Sequence, residues 1–174
     1  MRVVIVGCGR VGATLAASLD AAGHRVLILD IATAAFDRLP STFSGEAVRG
    51  DGTDEDTLRR VGAEGADYLF ALTEGDNRNI MAAQVGREAL GIGASLAKIN
   101  DPVRARAYAD LGIATICRTT LLTDALLGFI GLAGSGSPAV HAASAHDHPE
   151  AQGAAGAGAP AMPSAGTIRI VGEA

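Results

Sequence analysis

The sequence predicts an α/β fold in which a doubly wound parallel sheet of six strands carries helices on both faces. Strand-like and helix-like patterns alternate along residues 1–132, as expected of successive βαβ units. The strand-like runs are apolar without in–out alternation, which is typical of strands buried on both faces. A glycine-rich turn joins the first strand to the first helix.

Each predicted strand is a short apolar run that ends at a glycine or a polar residue. The six strands cover residues 3–6, 25–29, 47–49, 67–72, 95–99 and 114–117. The intervening helices end at recognisable stop signals, with Gly23, Gly62 and Gly91 following three of them and Pro40 closing a short one. They cover residues 11–22, 34–39, 54–61, 77–90 and 102–111.

Composition excludes several classes of protein. The chain has 174 residues, is 48% hydrophobic and carries a formal charge of −5, which disfavours nucleic-acid binding through a basic surface. Two cysteines, Cys8 and Cys117, are too few for a disulfide scaffold or a four-cysteine zinc site. The N-terminal apolar run is too short for a signal peptide or a membrane span, so we expect a cytoplasmic protein.

The composition changes sharply after residue 132. In residues 133–166, 26 of 34 positions are Ala, Gly, Ser or Pro, which predicts a flexible linker. It contains His141, His146 and His148. We interpret these histidines as solvated linker residues in preference to ligands of a metal site. Residues 167–174 form a short tail with a strand-like pattern, and residues 1–132 are the predicted domain.

The glycine-rich turn has the form G-x-G-x-x-G and consists of Gly7, Gly9 and Gly12. Following a strand and opening a helix, this pattern is typical of the Rossmann-like dinucleotide fold: the glycines allow a tight turn, close approach of a diphosphate, and close helix packing. The N–H groups of the helix N-terminus then face phosphate, which places Arg10 and Val11 among the candidate cofactor-binding residues. The Arg10 side chain either reaches a phosphate or is simply solvated.

Further candidates follow the other strands, at the same carboxyl edge of the sheet. Asp30 ends the second strand, where a carboxylate accepts hydrogen bonds from ribose hydroxyls and disfavours the 2′-phosphate of NADP. Asp51 follows the third strand and either contacts a nucleotide or, like Thr53, caps the next helix. Thr73 follows the fourth strand, and Lys98 in the fifth either pairs with a phosphate or is solvated.

The candidate site lacks the residues that a dehydrogenase needs. The only histidine of residues 1–132 is His24, in a turn, and neither Tyr68 nor Tyr108 has a lysine four positions later. Cys8 is a small filler in the glycine turn, with a redox role as the weaker interpretation. We therefore expect a nucleotide-binding protein that is not an enzyme; a small NAD-dependent oxidoreductase is the alternative.

Residues 3–30, 50–83 and 97–113 resemble the N-terminal domain of the RCK (KTN, or TrkA-N) family, and the Trk/Ktr-type potassium uptake regulators in particular. The glycine turn is shared by many folds, but the combination of GDGT (50–53), ALT (71–73) with DNRN (76–79), and KINDP (98–102) is more specific. The resemblance implies a cytoplasmic protein at the inner face of the membrane that binds NAD(H) or ATP/ADP and gates a separate membrane potassium subunit. It also implies a nucleotide site formed by Gly7, Gly9, Gly12, Asp30, Asp51, Thr73 and Lys98.

The segment 119–132 has apolar residues on one helical face, Leu122, Leu126, Phe129 and Ile130. This face packs on its own sheet or on a partner; the resemblance favours the partner, because the corresponding helix of the family crosses to a second subunit in a homodimer that builds a ring. Family members usually continue into a C-terminal ligand-binding domain. Here a linker follows instead, so we expect that gating needs a second regulator subunit.

Overall fold

The computed structural model describes residues 1–142, which form a seven-stranded sheet in the order β3-β2-β1-β4-β5-β6-β7. The first six strands pair in parallel, which confirms the predicted doubly wound fold. The chain reverses its winding between β1 and β4, and ligands of such sheets bind at this switch point. The strands are β1 (Arg2–Val6), β2 (Arg25–Asp30), β3 (Glu46–Arg49), β4 (Tyr68–Ala71), β5 (Ala94–Ile99), β6 (Ala114–Cys117) and β7 (Val140–His141).

Five α-helices occur in the described part of the chain: α1 (Arg10–Ala21), α2 (Glu55–Arg60), α3 (Asp76–Gln84), α4 (Pro102–Asp110) and α5 (Arg118–Phe129). The predicted helix after β2 is a 3₁₀ helix, Thr33–Arg38. A π-helical turn, Val85–Ala89, extends α3 and accounts for the longer helix predicted there.

Strand β1 lies at the centre of the sheet and is buried on both faces. Val4 and Val6 pack on one face in a cluster that includes Leu58 of α2 and Ala82 of α3. Val3 and Ile5 pack on the other face, in a buried cluster that includes Ala13 and Ala16 of α1. Helices therefore cover both faces of the sheet. The alanines of α1 and α3 allow these helices to pack close to it.

The sheet extends beyond residue 132, where the domain was predicted to end. Val140 and His141 pair antiparallel with Ile116 and Thr115 of β6, so the sheet has seven strands where the sequence predicted six. A two-residue strand is specified by this long-range pairing and not by local composition, which explains why the segment was predicted to be linker. His146, His148, the rest of the predicted linker and the tail 167–174 lie outside the described residues.

Helix α5 projects from the body of the molecule. Thr120 is its only buried residue, whereas Leu122, Leu126 and Phe129 are 60%, 59% and 90% exposed. The predicted apolar face is thus not covered by the chain's own sheet. Among residues 1–142, no helix combines the length and apolar character needed to cross a membrane.

Candidate functional site

The glycine turn between β1 and α1 packs directly against the end of β4. Gly7 has a φ of +105°, and a Cβ there would lie 2.9 Å from the Thr73 nitrogen. A Cβ on Gly12 would lie only 2.0 Å from the Gly7 carbonyl oxygen. Glycine is therefore required at these two positions, because a side chain at either would collide with backbone atoms. The absence of side chains lets the glycine turn pack against the end of β4.

Gly9 serves a different purpose, because a Cβ there would meet no atom within 4 Å. It is the N-cap residue of α1; no side chain caps this helix and no acidic residue stands in its first turn. The first-turn backbone N–H groups, including those of Arg10 and Val11, are therefore available to an anion. The exposed side chains of Arg10 and Val11 do not line the cleft described below.

Asp30, at the end of β2, is held by two backbone amides. Its Oδ2 accepts a hydrogen bond from the Cys8 N–H at 2.7 Å, and its Oδ1 accepts one from the Ala32 N–H at 2.9 Å. The carboxylate is thereby fixed beside the glycine turn and keeps lone pairs for further donors. Cys8 itself is fully buried, and this burial, followed by the nearby Asp30 charge, raises the pKa of its thiol.

Asp51 follows β3 and closes a tight turn. Its Oδ1 accepts hydrogen bonds from the Thr53 N–H at 2.9 Å and from the Thr53 hydroxyl at 2.8 Å. The cap of α2 is instead Asp54, whose carboxylate accepts from the Thr57 N–H at 2.9 Å. The alternative that Asp51 or Thr53 caps α2 is therefore wrong, and the Asp51 carboxylate lies at the cleft.

Thr73, at the end of β4, is positioned by a buried amide. Asn79 Oδ1 accepts hydrogen bonds from the Thr73 N–H at 2.8 Å and from the Thr73 hydroxyl at 2.6 Å. The Asn79 amide nitrogen donates to the Thr73 carbonyl oxygen at 3.0 Å. The sequence placed Asn79 only at the start of α3 and gave it no role at the site.

These strand ends surround one cleft of about 430 Å³ at the switch point of the sheet. This volume lies in the usual range of small-molecule sites. Of the predicted site residues, the structure brings together Gly7, Gly9, Asp30, Asp51 and Thr73 in its lining. Gly12 lies beneath the glycine turn.

Lys98 stands apart from this lining. Its side chain is half-buried on β5, and desolvation, followed by the nearby charge of Arg118, lowers the pKa of its ammonium group. The charges of Asp76 and Glu74 partly offset this shift. Lys98 therefore lies among charged groups at the ends of β5 and β6, to one side of the cleft.

Two arginines of the lining were missed in the sequence. Arg38 comes from the last turn of the 3₁₀ helix and Arg78 from the first turn of α3. The lining also holds the carboxylates of Asp30, Asp51 and Glu74, so the two arginines are its cationic groups and the ones that can attract an anionic ligand. One sequence signal could have indicated them: each lies in a helical turn close to the carboxyl edge of the sheet.

Comparison with known proteins identifies the family of the chain. The TrkA-N domain family matches residues 3–119. The Trk system potassium uptake protein TrkA of Streptomyces coelicolor is 46% identical over 127 residues, which are 73% of this chain and 57% of that protein. A TrkA homologue of Pyrococcus horikoshii is 29% identical over 111 residues, 64% of this chain and 49% of its own length. The chain thus spans about half the length of these curated relatives.

Solved structures share the fold at low sequence identity. The TrkA-N domain of the inner membrane protein ybaL from Escherichia coli superposes with a TM-score of 0.65 at 17% identity, covering 74% of this chain and 96% of that one. The GsuK channel bound to NAD gives 0.60 at 20% identity, covering 73% and 23%. The Kef C-terminal domain of Shewanella denitrificans in its AMP-bound form gives 0.59 at 24% identity, covering 75% and 82%.

Proposed function

Because the chain belongs to the TrkA-N domain family, we propose that it is a nucleotide-sensing regulatory subunit of a Trk/Ktr-type potassium uptake system. The observation that carries the proposal is the convergence of an open glycine turn, a fixed carboxylate and a positioned threonine on one cleft. Each of these groups matches a different part of a nucleotide.

The cleft residues fit the three parts of an adenine nucleotide. The uncapped first turn of α1 supplies N–H donors to phosphate, and the absence of a side chain at Gly9 leaves room for it. The Asp30 carboxylate accepts from ribose hydroxyls. Asp51 lies on the side of β3, where the adenine end would be held, and Thr73 lies on the opposite side, beside phosphate or a second ribose.

The ligand in this proposal is NAD(H) or ATP/ADP. Support comes from the acid at Asp30, which favours a free ribose over a 2′-phosphate, and from structural neighbours that were solved with NAD or AMP bound. The two arginines of the lining, Arg38 and Arg78, add charge that favours di- and triphosphates. Lys98 is assigned to the same ligand only if the ligand extends beyond the described lining, as a dinucleotide does.

The partners follow from the relatives and from α5. Relatives named as Trk potassium uptake proteins support a membrane potassium subunit as the target, at the cytoplasmic face. The uncovered apolar face of α5 supports a homodimer that builds a ring. In this proposal the nucleotide-binding domain comprises residues 1–132 together with β7 (Val140–His141), and a second regulator subunit completes the gate.

We propose that the chain binds its nucleotide without turnover. Histidine, tyrosine and lysine are all missing from the described lining of the cleft, so a proton donor of the kind used by dehydrogenases has no counterpart there. Regulation then requires that the nucleotide bind one conformation of the assembly better than another. No observation in the described residues favours the oxidoreductase alternative.

Calorimetric titration with NADH, NAD⁺, ATP and ADP tests this proposal. We expect saturable binding of at least one of them at sub-millimolar concentration, with no change in NADH absorbance over hours. Gly9→Asp should abolish the binding heat, because its carboxylate would occupy the phosphate position and repel the ligand. Since a Cβ at Gly9 meets no other atom, this variant should keep the wild-type melting temperature.

Gly9→Ala is the matched control, with a small side chain and no charge, and should weaken binding less than Gly9→Asp does. Absence of binding by the wild-type chain would refute the sensor proposal. Unchanged binding by Gly9→Asp would refute the placement of the site.

A further inference from the structure

Two polar side chains on α3 tie this helix to the carboxyl ends of two strands, β4 and β5. Asp76 and Asn79 are three positions apart and therefore lie on the same face of the helix. Asn79 faces the end of β4 at the cleft, and Asp76 faces the residue that follows β5. The first turns of α3 thus contact both the candidate nucleotide site and the region from which α5 begins.

Asn79 uses both ends of its amide in these contacts. Besides its three hydrogen bonds to Thr73, it donates to the Lys98 carbonyl oxygen at 2.8 Å. Its side chain is fully buried. A buried amide with all these partners satisfied fixes the distance between β4 and β5, since any shift would leave a polar group unpaired.

The contacts continue from Asp76 to α5. Asp76 Oδ1 accepts hydrogen bonds from the Asn100 N–H at 3.0 Å and from the Asn100 side-chain amide at 2.8 Å. The Asn100 carbonyl oxygen in turn accepts from the Thr119 hydroxyl at 2.6 Å. Thr119 lies in the first turn of α5, so one hydroxyl joins this helix to the residue that α3 holds.

The first turn is also where α5 is anchored. Thr120 is the buried residue of α5, and the rest of the helix projects with its apolar side chains exposed. A small change at this anchor therefore changes the direction of the whole projecting helix. Thr119 is itself exposed and lies outside the cleft lining, so it can be substituted without changing a residue of that lining.

We propose that Asn79 is a positioning residue and that the hydrogen-bonded series Thr73–Asn79–α3–Asp76–Asn100–Thr119 couples nucleotide binding to the stability and direction of α5. The inference rests on the proposed nucleotide site and adds to it the route by which the ligand reaches α5. A ligand that binds Thr73 stabilises the hydrogen bonds between Thr73 and Asn79. Because α3 moves as one element, this also stabilises the hydrogen bonds that Asp76 accepts from Asn100. Such coupling needs a contact that differs between two states, and in this inference that contact is the hydrogen bond of the Thr119 hydroxyl.

Hydrogen exchange of the whole chain, measured by mass spectrometry with and without saturating NADH or ADP, tests this coupling. In the wild-type protein we expect nucleotide to slow exchange both in the glycine turn and in α5, the latter by roughly fivefold, the lower end of typical coupling factors. Thr119→Val and Thr119→Ala, two variants without the hydroxyl, should lose the effect in α5 and retain it in the glycine turn. Thr119→Ser, which keeps the hydroxyl, should behave as the wild type.

Each outcome separates this inference from the proposed function. No protection of the glycine turn in the wild type would refute the nucleotide site, and the coupling with it. Protection of the glycine turn without protection of α5 would overturn the coupling and leave the site intact. Equal nucleotide effects on α5 in Thr119→Val, Thr119→Ala and the wild type would also overturn the coupling. In that case the variants could still exchange faster than the wild type, but by the same factor with and without nucleotide. The Thr119 hydrogen bond would then stabilise α5 without linking it to the ligand.

Discussion

Two glycines of the G-x-G-x-x-G turn differ in the space around them. A Cβ added to Gly12 would lie 2.0 Å from the Gly7 carbonyl oxygen, whereas one added to Gly9 would have open space around it. The glycine at position 12 is therefore needed for folding, and the glycine at position 9 is needed only if a ligand occupies that space. The G-x-G-x-x-G pattern alone does not distinguish these two requirements.

We expect Gly12→Ala to lower the free energy of unfolding by about 3 kcal/mol, at the upper end of the usual cost of overpacking, because backbone and not a flexible side chain blocks the new methyl group. Urea denaturation followed by circular dichroism measures the change. Gly9→Ala is the matched control and should change the free energy by no more than about 1 kcal/mol, the cost of replacing glycine at an N-cap. Equal losses for both variants would contradict the packing argument.

The sequence predicted much of the site at this scale because the carboxyl ends of parallel strands meet at one edge. That rule alone brings Gly7, Asp30, Asp51 and Thr73 to the cleft. It does not place side chains on helices, so Arg38 and Arg78 were missed. It also does not give the side of β5 that Lys98 occupies, which depends on how Ala97 and Ile99 pack in their own cluster.

Among the elements, α2 illustrates a local choice that the sequence leaves open. Asp51, Thr53 and Asp54 all carry oxygen acceptors within four positions, and each can begin a helix. The structure assigns Asp51 to the turn with Thr53 and leaves Asp54 to cap α2. The close approach of Gly52 to Val6, where a Cβ would lie 2.3 Å from a valine methyl, fixes the course of this loop.

The cap of α2 predicts a contribution to acid sensitivity. The Thr57 hydroxyl, and then the Thr57 N–H, lower the pKa of the Asp54 carboxyl. A carboxyl whose pKa is lower in the folded state contributes stability above its unfolded pKa of about 3.9, and this stability is lost as the pH falls through the folded pKa.

Asp54→Asn keeps a capping oxygen but does not titrate. We therefore expect its melting temperature to fall less than that of the wild type between about pH 5 and pH 2. Thermal scans across this range measure the difference. Asp37→Asn, at an exposed position of the 3₁₀ helix, is a control for the loss of one negative charge. An identical acid profile for Asp54→Asn and the wild type would contradict the prediction.

At the scale of the whole molecule, long-range contacts decide what local patterns cannot. β7 exists because Val140 and His141 reach β6, although their neighbours are mostly small residues. The same return of the chain brings the Ser135 N–H to Asp124 of α5 at 2.7 Å. The molecule therefore presents α5 as a projecting helix that is held at its first turn and at Asp124 in its middle, and whose apolar residues remain exposed.

This arrangement predicts self-association through α5. Contiguous apolar side chains of this size are rarely left exposed on a monomer, and Phe129, at 90% exposure, lies among them. We expect the wild-type chain to sediment as a dimer or larger assembly at micromolar concentration. The double variant Leu126→Asp and Phe129→Asp should sediment as a monomer, because pairing the two faces would bury four carboxylates without partners.

Val103→Asp provides the matched control, since Val103 is 79% exposed but lies in the first turn of α4, where an acidic residue is favourable. This variant should associate as the wild type does. Because the substituted residues of α5 contribute little to the core, the double variant should also keep the wild-type melting temperature of the monomer. A double variant that retains the wild-type sedimentation coefficient of an assembly would show that association uses another surface, and would overturn the prediction for α5.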